Sequence, residues 1–272
     1  MDSGGGWGTH AVELAADHVV KRFSREDGER AEREWRALTL LASYAPGLVP
    51  TLGSTDRGAW GATVVMSRLP GAPLRGAALG EEQVRALAEA VNELYAAVPG
   101  DVLRRVPVRP GQQSDLIAQL QGWAVTVRPH VDGAVGRAMD EGLRWLARSP
   151  LSSGDAAQVP AVFGPGDGNL GNYLWDGSRV RVVDFEDSGR SDRAFELAEI
   201  TEHVGSWVEH PLDVPAFLNG CDLTAPEEVR LGDCRRLLAL VWLFLLARDR
   251  ENARNPAGTA ERQAERLRVL IA

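Results

Sequence analysis

Between Phe163 and Gly189 the chain reads FGPGDGNLGNYLWDGSRVRVVDFEDSG, and no other stretch restricts its fold so tightly. Tyr173–Trp175 and Val180–Val183 are short apolar runs on either side of Asp176-Gly177-Ser178, a composition suited to a hairpin turn. Asp167 and Asn172 precede the hairpin in a glycine-rich loop, and Asp184 ends its second strand. Three oxygen-bearing side chains are thereby set at the mouth of one small sheet. Asn172 and Asp184 suit a hard, oxygen-seeking cation such as Mg2+. Asp167 suits the removal of a proton from a hydroxyl. Gly166, Gly168 and Gly171 let the loop bend and let backbone approach a ligand closely. Turn formation would account for each of these residues singly, but less well for their order and spacing.

Around this hairpin the patterns divide. Ala11–Leu14 and His18–Phe23 predict two strands, and Ala62–Met66, within Trp60–Leu69, predicts another. Glu29–Tyr44 has helical spacing, with Trp35, Leu38, Leu41 and Ala42 on one face; Pro46 and Pro50 end it. Pro70-Gly71-Ala72-Pro73 is a rigid linker. Helices are then expected over Glu81–Val98, Ser114–Val127, Asp132–Ala147, Arg193–Glu209, Cys234–Arg250 and Thr259–Ile271. A strand-rich start and a helical body interrupted by one hairpin predict an α+β fold rather than repeating βαβ units.

A net charge of −8 argues against nucleic acid and anionic membrane as partners. Leu237–Ala247 is too short to span a bilayer and reads as a buried helix. Cys221 and Cys234, with no second pair, suit neither a zinc site nor a disulfide scaffold, so two buried free thiols are expected. The start of the chain lacks a basic region leading into an apolar one, which predicts no signal peptide and a cytoplasmic location, as monomer or dimer. Residues 160–222 hold twelve Asp or Glu and four Arg, so the whole net charge falls in the segment that carries the loop. A cationic small-molecule partner is the economical reading. Glu186, Asp187, Glu199, Glu202 and His203 are its candidate contacts, the last three expected on one helix face, with Glu209 and Asp213 adding to the acid surplus. Asp192 and Glu196 read as structural, and His203 with His210 has the wrong spacing for a helical metal pair. Trp175 and Trp207 read first as core.

Of the 30 Lys and Arg residues only Lys21 is a lysine, and it ends the apolar run Val19-Val20. Arginine can replace lysine at most surface positions, but not where a compact ammonium on a thin stem is needed. Here the chain resembles the aminoglycoside phosphotransferase family of the protein-kinase-like folds. That family's catalytic loop reads roughly His-Gly-Asp-x-x-x-x-Asn and its metal loop Asp-Phe or Asp-Trp after a strand. This chain offers Pro165-Gly166-Asp167 with Asn172, then Asp184-Phe185-Glu186. Gly71-Ala72-Pro73-Leu74 and Gly189–Ala198 are similar to stretches after the hinge and after the metal loop.

The resemblance implies a two-lobed architecture, with a small β-rich N-terminal lobe over residues 1–70, a hinge at about 66–74 and a helical C-terminal lobe over 75–272. It implies ATP or GTP as co-substrate with Mg2+. Lys21 would grip phosphates with Glu34 as its helix partner, and Met66, Ser67 and Leu69 would meet the base along the hinge. Asn172 and Asp184 would hold the metal, and Asp167 would act on the acceptor hydroxyl. The acceptor would be a cationic antibiotic, such as an aminoglycoside or a basic peptide, whose phosphorylation confers resistance. A metabolite kinase for choline, a sugar or an amino alcohol is the near alternative, and a pseudokinase a more distant one. Two features depart from the family pattern. Pro165 and Asn169 stand where histidines are usual, and the phosphate-covering glycine loop would be Gly4–Thr9, with little or no strand before it.

Overall fold

A computed structural model describes residues 10–58, 61–153, 159–249 and 255–272. Its first part is an antiparallel sheet of β1 (Ala11–Leu14), β2 (His18–Ser24), β3 (Leu52–Gly58) and β4 (Gly61–Ser67), in the order β1-β2-β4-β3. Helix α1 (Gly28–Tyr44) lies in sequence between β2 and β3. Successive strand residues face opposite sides. Lys21 and Phe23 on β2 therefore share the buried face with Ala62, Val64 and Met66 on β4, and Lys21 pairs with Val64 in register.

Helix α1 buries Ala31, Glu34, Ala37, Leu38 and Leu41, while Trp35 is 41% exposed and Ala42 is exposed. This corrects the expected face. The true stripe passes through a carboxylate, so an apolar template selects Trp35 in place of Glu34. Strand β3 was not expected, because LGSTDRG shows no apolar alternation. It is a mostly exposed edge strand, defined by its backbone pairing with β4.

The chain crosses into the second part along β5 (Ala72–Pro73), which pairs with β7 (Tyr173–Trp175) of the hairpin, itself paired with β8 (Val180–Val182). Gly71, at φ +120°, is obligatory here, since a Cβ would sit 2.8 Å from the Trp175 carbonyl oxygen. The helices that follow are α2 (Glu81–Ala97), α3 (Gly100–Leu103), α4 (Gln113–Thr126), α5 (Gly133–Leu146) and α6 (Pro150–Ser153). A two-stranded ribbon of β6 (Ala161–Gly164) and β9 (Gly189–Asp192), also unexpected, closes the base of the functional segment by pairing Gly164 with Gly189.

Helix α7 (Arg193–Glu202) is shorter than expected. His203 turns to ψ 135° and its ring accepts the Gly205 N–H, starting a separate turn. After α8 (Val214–Asn219), α9 (Ala225–Arg248) begins nine residues before its expected start at Cys234, because Thr224 and Glu227 form a capping box with proline in the first turn. Helix α10 (Thr259–Ile271) ends the chain. Leu237, Leu240, Leu243 and Phe244 of α9 are fully buried, and α7, α5 and α10 pack around that helix. Cys221 and Cys234 are free and buried. Among the described residues no helix is long and apolar enough to cross a membrane. The fold is α+β, with a small antiparallel sheet followed by a helical body.

Candidate active site

Lys21 reaches into the gap between the two parts. Its Nζ lies 3.1 Å from Glu34 Oε2, 2.7 Å from Asp184 Oδ1 and 2.6 Å from Glu186 Oε2. Burial alone would lower its pKa, but the three carboxylates outweigh burial and raise it, so the ammonium stays charged. Glu34 also accepts the Phe185 N–H at 2.9 Å, tying α1 to the loop after the hairpin. Asp184 itself sits at φ +68°, a left-handed conformation costing about 1–2 kcal/mol for a non-glycine residue. Phe185, fully buried beside it, pins that turn.

Asp167 is held from both oxygens. The Asn169 N–H donates to Oδ1 at 2.9 Å and Asn172 Nδ2 donates to Oδ2 at 3.1 Å. Desolvation, and to a lesser degree the charge of Asp184, raises its pKa, which favours a role in accepting a proton. About a third of its side chain remains exposed (36%), so a hydroxyl can reach it. His203 Nε2 lies 3.7 Å from Asp167 Oδ1. Since its Nδ1 accepts the Gly205 N–H, the ring proton sits on Nε2. Burial, with Arg75 nearby, pushes the imidazole down to about 3. His203 therefore faces Asp167 as a neutral N–H rather than as a cation.

One cleft contains the residues expected to meet nucleotide and metal. Val12, Leu14 and Val19 from the sheet and Leu174 and Val183 from the hairpin form its apolar walls. Met66, Ser67 and Leu69 line it further along, and Lys21, Glu34, Asn172 and Asp184 form its polar end. The wall residues were missed as site residues, though strand alternation marks which of them share a face. Gly4–Thr9 lie outside the described residues.

The donor set at the polar end suits Mg2+, being all oxygen. Asn172 spends its amide nitrogen on Asp167, which leaves its carbonyl oxygen as the atom for a cation, and Asp184 supplies a carboxylate in the same cleft. Oxygens of Glu34, Asp184 and Glu186 also lie within 4.8 Å of one another, where the Lys21 ammonium contacts all three.

The other acids fall differently from the expectation. Glu186 is buried, 3.0 Å from Arg30 and 3.2 Å from His10. Asp187 lies 3.7 Å from Arg30 and 3.6 Å from Arg33. Glu199 is partly buried against Arg109 at 3.1 Å, and loss of solvent around its carboxyl pushes its pKa up to about 7. Glu202 is fully buried and bonded to Arg235 at 2.7 Å and Arg266 at 2.9 Å. It has no surface to offer a ligand. Asp213 caps α8 through the Ala216 N–H. The charge surplus of residues 160–222 is a property of the sequence segment and not of the space around it. Arg30, Arg33, Arg109, Arg230, Arg235 and Arg266 all come from outside the segment and sit on its carboxylates.

The chain belongs to the phosphotransferase enzyme family, whose model matches residues 4–231. No curated protein matches it by sequence. Among solved structures, aminoglycoside 2'-phosphotransferase-IIIa in its GDP complex aligns with a TM-score of 0.71 at 16% identity, over 98% of this chain and 90% of that one. A choline/ethanolamine kinase family protein from Mesorhizobium loti aligns at 0.65 and 19% identity, over 98% and 86%. Choline kinase LicA from Streptococcus pneumoniae aligns at 0.63 and 14%, over 98% and 91%. At these identities the likeness is one of fold.

Proposed function

We propose that the protein transfers the γ-phosphoryl group of Mg2+-bound ATP or GTP to a hydroxyl of an amino-bearing small molecule. The observation that carries this reading is the convergence of Lys21, Glu34, Asn172 and Asp184 at one end of an apolar cleft, with Asp167 bonded to Asn172 beside it. Phosphoryl transfer asks little covalent chemistry of a protein; positioning and charge neutralisation supply most of the rate. A flat base would lie in this cleft against apolar side chains such as Val19 and Leu174, with its edge toward Met66, Ser67 and Leu69. Lys21 would hold phosphate oxygens, and Asn172 and Asp184 would hold the metal, which would supply charge neutralisation when bound. Asp167 orients the acceptor hydroxyl and takes its proton. Residues 1–70 then form the nucleotide-binding lobe, joined at a hinge near 66–74 to residues 75–272, which carry the catalytic and metal loops and the acceptor site.

The acceptor class rests on chemistry shared by the structural neighbours. Aminoglycosides and choline are both hydroxylated organic cations, and the structural neighbours include an aminoglycoside phosphotransferase and a choline kinase. With most acids of residues 160–222 already paired to arginines, total charge no longer distinguishes a polycation from a monocation. The aminoglycoside or basic peptide reading and the choline-like reading both stand as members of one class. An aminoglycoside acceptor would make the enzyme a cytoplasmic resistance factor. The full set Lys21, Asp167, Asn172 and Asp184 speaks against a pseudokinase.

The test is a panel of aminoglycosides, basic peptides, choline and ethanolamine with Mg2+ and each nucleotide, read by mass spectrometry for the gain of one phosphoryl group. A gain on one amine class selects the acceptor. No gain anywhere, together with no thermal shift from Mg2+-nucleotide, removes the reading.

A further inference from the structure

We infer that Arg109 is a positioning residue for the catalytic loop, locking the peptide of Gly166 and through it the direction of Asp167. Its catalytic meaning rests on the phosphotransferase reading above; the locking itself does not. Pro165 brings no N–H and no polar side-chain atom to the loop, so the loop must be anchored from elsewhere.

The anchoring falls on Gly166. Its N–H donates to Glu196 Oε2 at 3.2 Å, and its carbonyl accepts from Arg109 Nη2 at 2.8 Å. Arg109 Nη1 donates to the other oxygen of Glu196 at 2.9 Å, closing a ring of three bonds around the backbone of one residue. Nη2 also reaches Glu199 at 3.1 Å, and Nε is spent on the Pro110 carbonyl at 3.1 Å. All three guanidinium nitrogens are thus engaged, in a residue only 5% exposed whose main partner Glu196 is 1% exposed. Charge-assisted bonds out of water are the strong ones, and the planar fork sets their direction.

The arginine is itself held in place. The Arg190 N–H donates to the Pro107 carbonyl at 2.8 Å and the Arg109 N–H to the Arg190 carbonyl at 3.2 Å, docking residues 107–109 on β9. Gly189 allows that approach, since a Cβ there would lie 2.7 Å from the Arg109 nitrogen. The guanidinium also lies 5.2 Å from the Phe195 ring centre. On the far side Gly166, at φ +86°, passes so close to Asp187 that a Cβ would meet its carbonyl oxygen at 2.1 Å. The residue immediately before Asp167 is therefore fixed on two sides.

Arg109→Lys and Arg109→Ala in the full chain test this by hydrogen exchange read on peptides covering 163–172 and, as control, on α9. Losing a charge-assisted bond should raise exchange in 163–172 by about tenfold or more in Arg109→Lys while α9 keeps its wild-type protection. Turnover of Mg2+-ATP or Mg2+-GTP should lose roughly 100-fold in kcat with nucleotide KM nearly unchanged, and added guanidinium should restore part of it to Arg109→Ala. Unchanged exchange in 163–172 overturns the inference. So does a parallel rise in α9, which would make Arg109 a general core support. Wild-type protein that binds and turns over no nucleotide would defeat the phosphotransferase reading alone, leaving the exchange result to decide the role of Arg109. Should Arg109→Ala fail to fold, Arg109→Lys carries the test.

Discussion

The Nζ of Lys21 lies 2.7 Å from Oδ1 of Asp184, a residue that follows it by 163 positions. This contact joins the sheet of the first part to the loop that ends the hairpin of the second. Glu34 reinforces it by bonding both the ammonium and the N–H of Phe185. The proposed phosphate contact Lys21, its helix partner Glu34 and the proposed metal ligand Asp184 are therefore one connected unit.

Lys21→Arg should lower kcat/KM by about 100-fold or more despite conserving charge. The site is 6% exposed and three carboxylates approach within 3.1 Å, a geometry shaped for an ammonium. Steady-state turnover against Mg2+-nucleotide checks this; wild-type turnover would remove the special status of the lone lysine.

Gly168 packs against α7 so closely that a Cβ would sit 2.1 Å from the Glu199 carbonyl carbon. Gly168→Ala should destabilise the protein by about 1–3 kcal/mol in urea titration. Because backbone resists that contact, the loop must shift, and turnover should fall by about 100-fold even where the variant is fully folded.

Glu202→Gln separates structure from substrate binding. Two arginines close on a fully buried carboxylate, so breaking the network should cost about 3–5 kcal/mol by urea unfolding. At a temperature where the variant is folded, the KM of an amine acceptor should be unchanged. A raised acceptor KM would return Glu202 to the substrate site.

His203 should impose an acid limit on stability. Burial brings its pKa down to about 3, against about 6.5 when unfolded. The unfolded chain therefore binds the proton more readily between those values. The contribution of the neutral ring is complete above pH 6.5 and is lost as pH falls toward 3. Between pH 6.5 and pH 5 the wild type should lose about 2 kcal/mol more than His203→Gln. Chemical denaturation of both proteins at pH 7 and pH 5 measures the difference; equal losses would mean the ring is not held neutral.

The loop from Asp167 to Asp184 was legible because its chemistry and its turn residues lie in one continuous stretch. Lys21 was legible because its residue type is unique in the chain. Glu34 was placed by its position after Lys21, although its burial defeats an apolar reading of α1. What stayed hidden depends on pairing between distant segments. Strand β3 has no side-chain pattern, β6 and β9 are defined by each other, and Arg109 is one of many arginines until the fold sets it against Gly166. The acid surplus misled for the same reason, since charge was counted along the chain while its partners arrive through space.

The most direct measurement compares wild type with Asp167→Asn, incubating each with Mg2+, ATP or GTP and amine acceptors and weighing the acceptor. Wild type should add one phosphoryl group to at least one acceptor. Asp167→Asn should add none, while Mg2+-nucleotide still raises the melting temperature of both. Transfer by Asp167→Asn at the wild-type rate, or a wild type that neither binds nucleotide nor modifies any acceptor, would contradict phosphotransfer at this site.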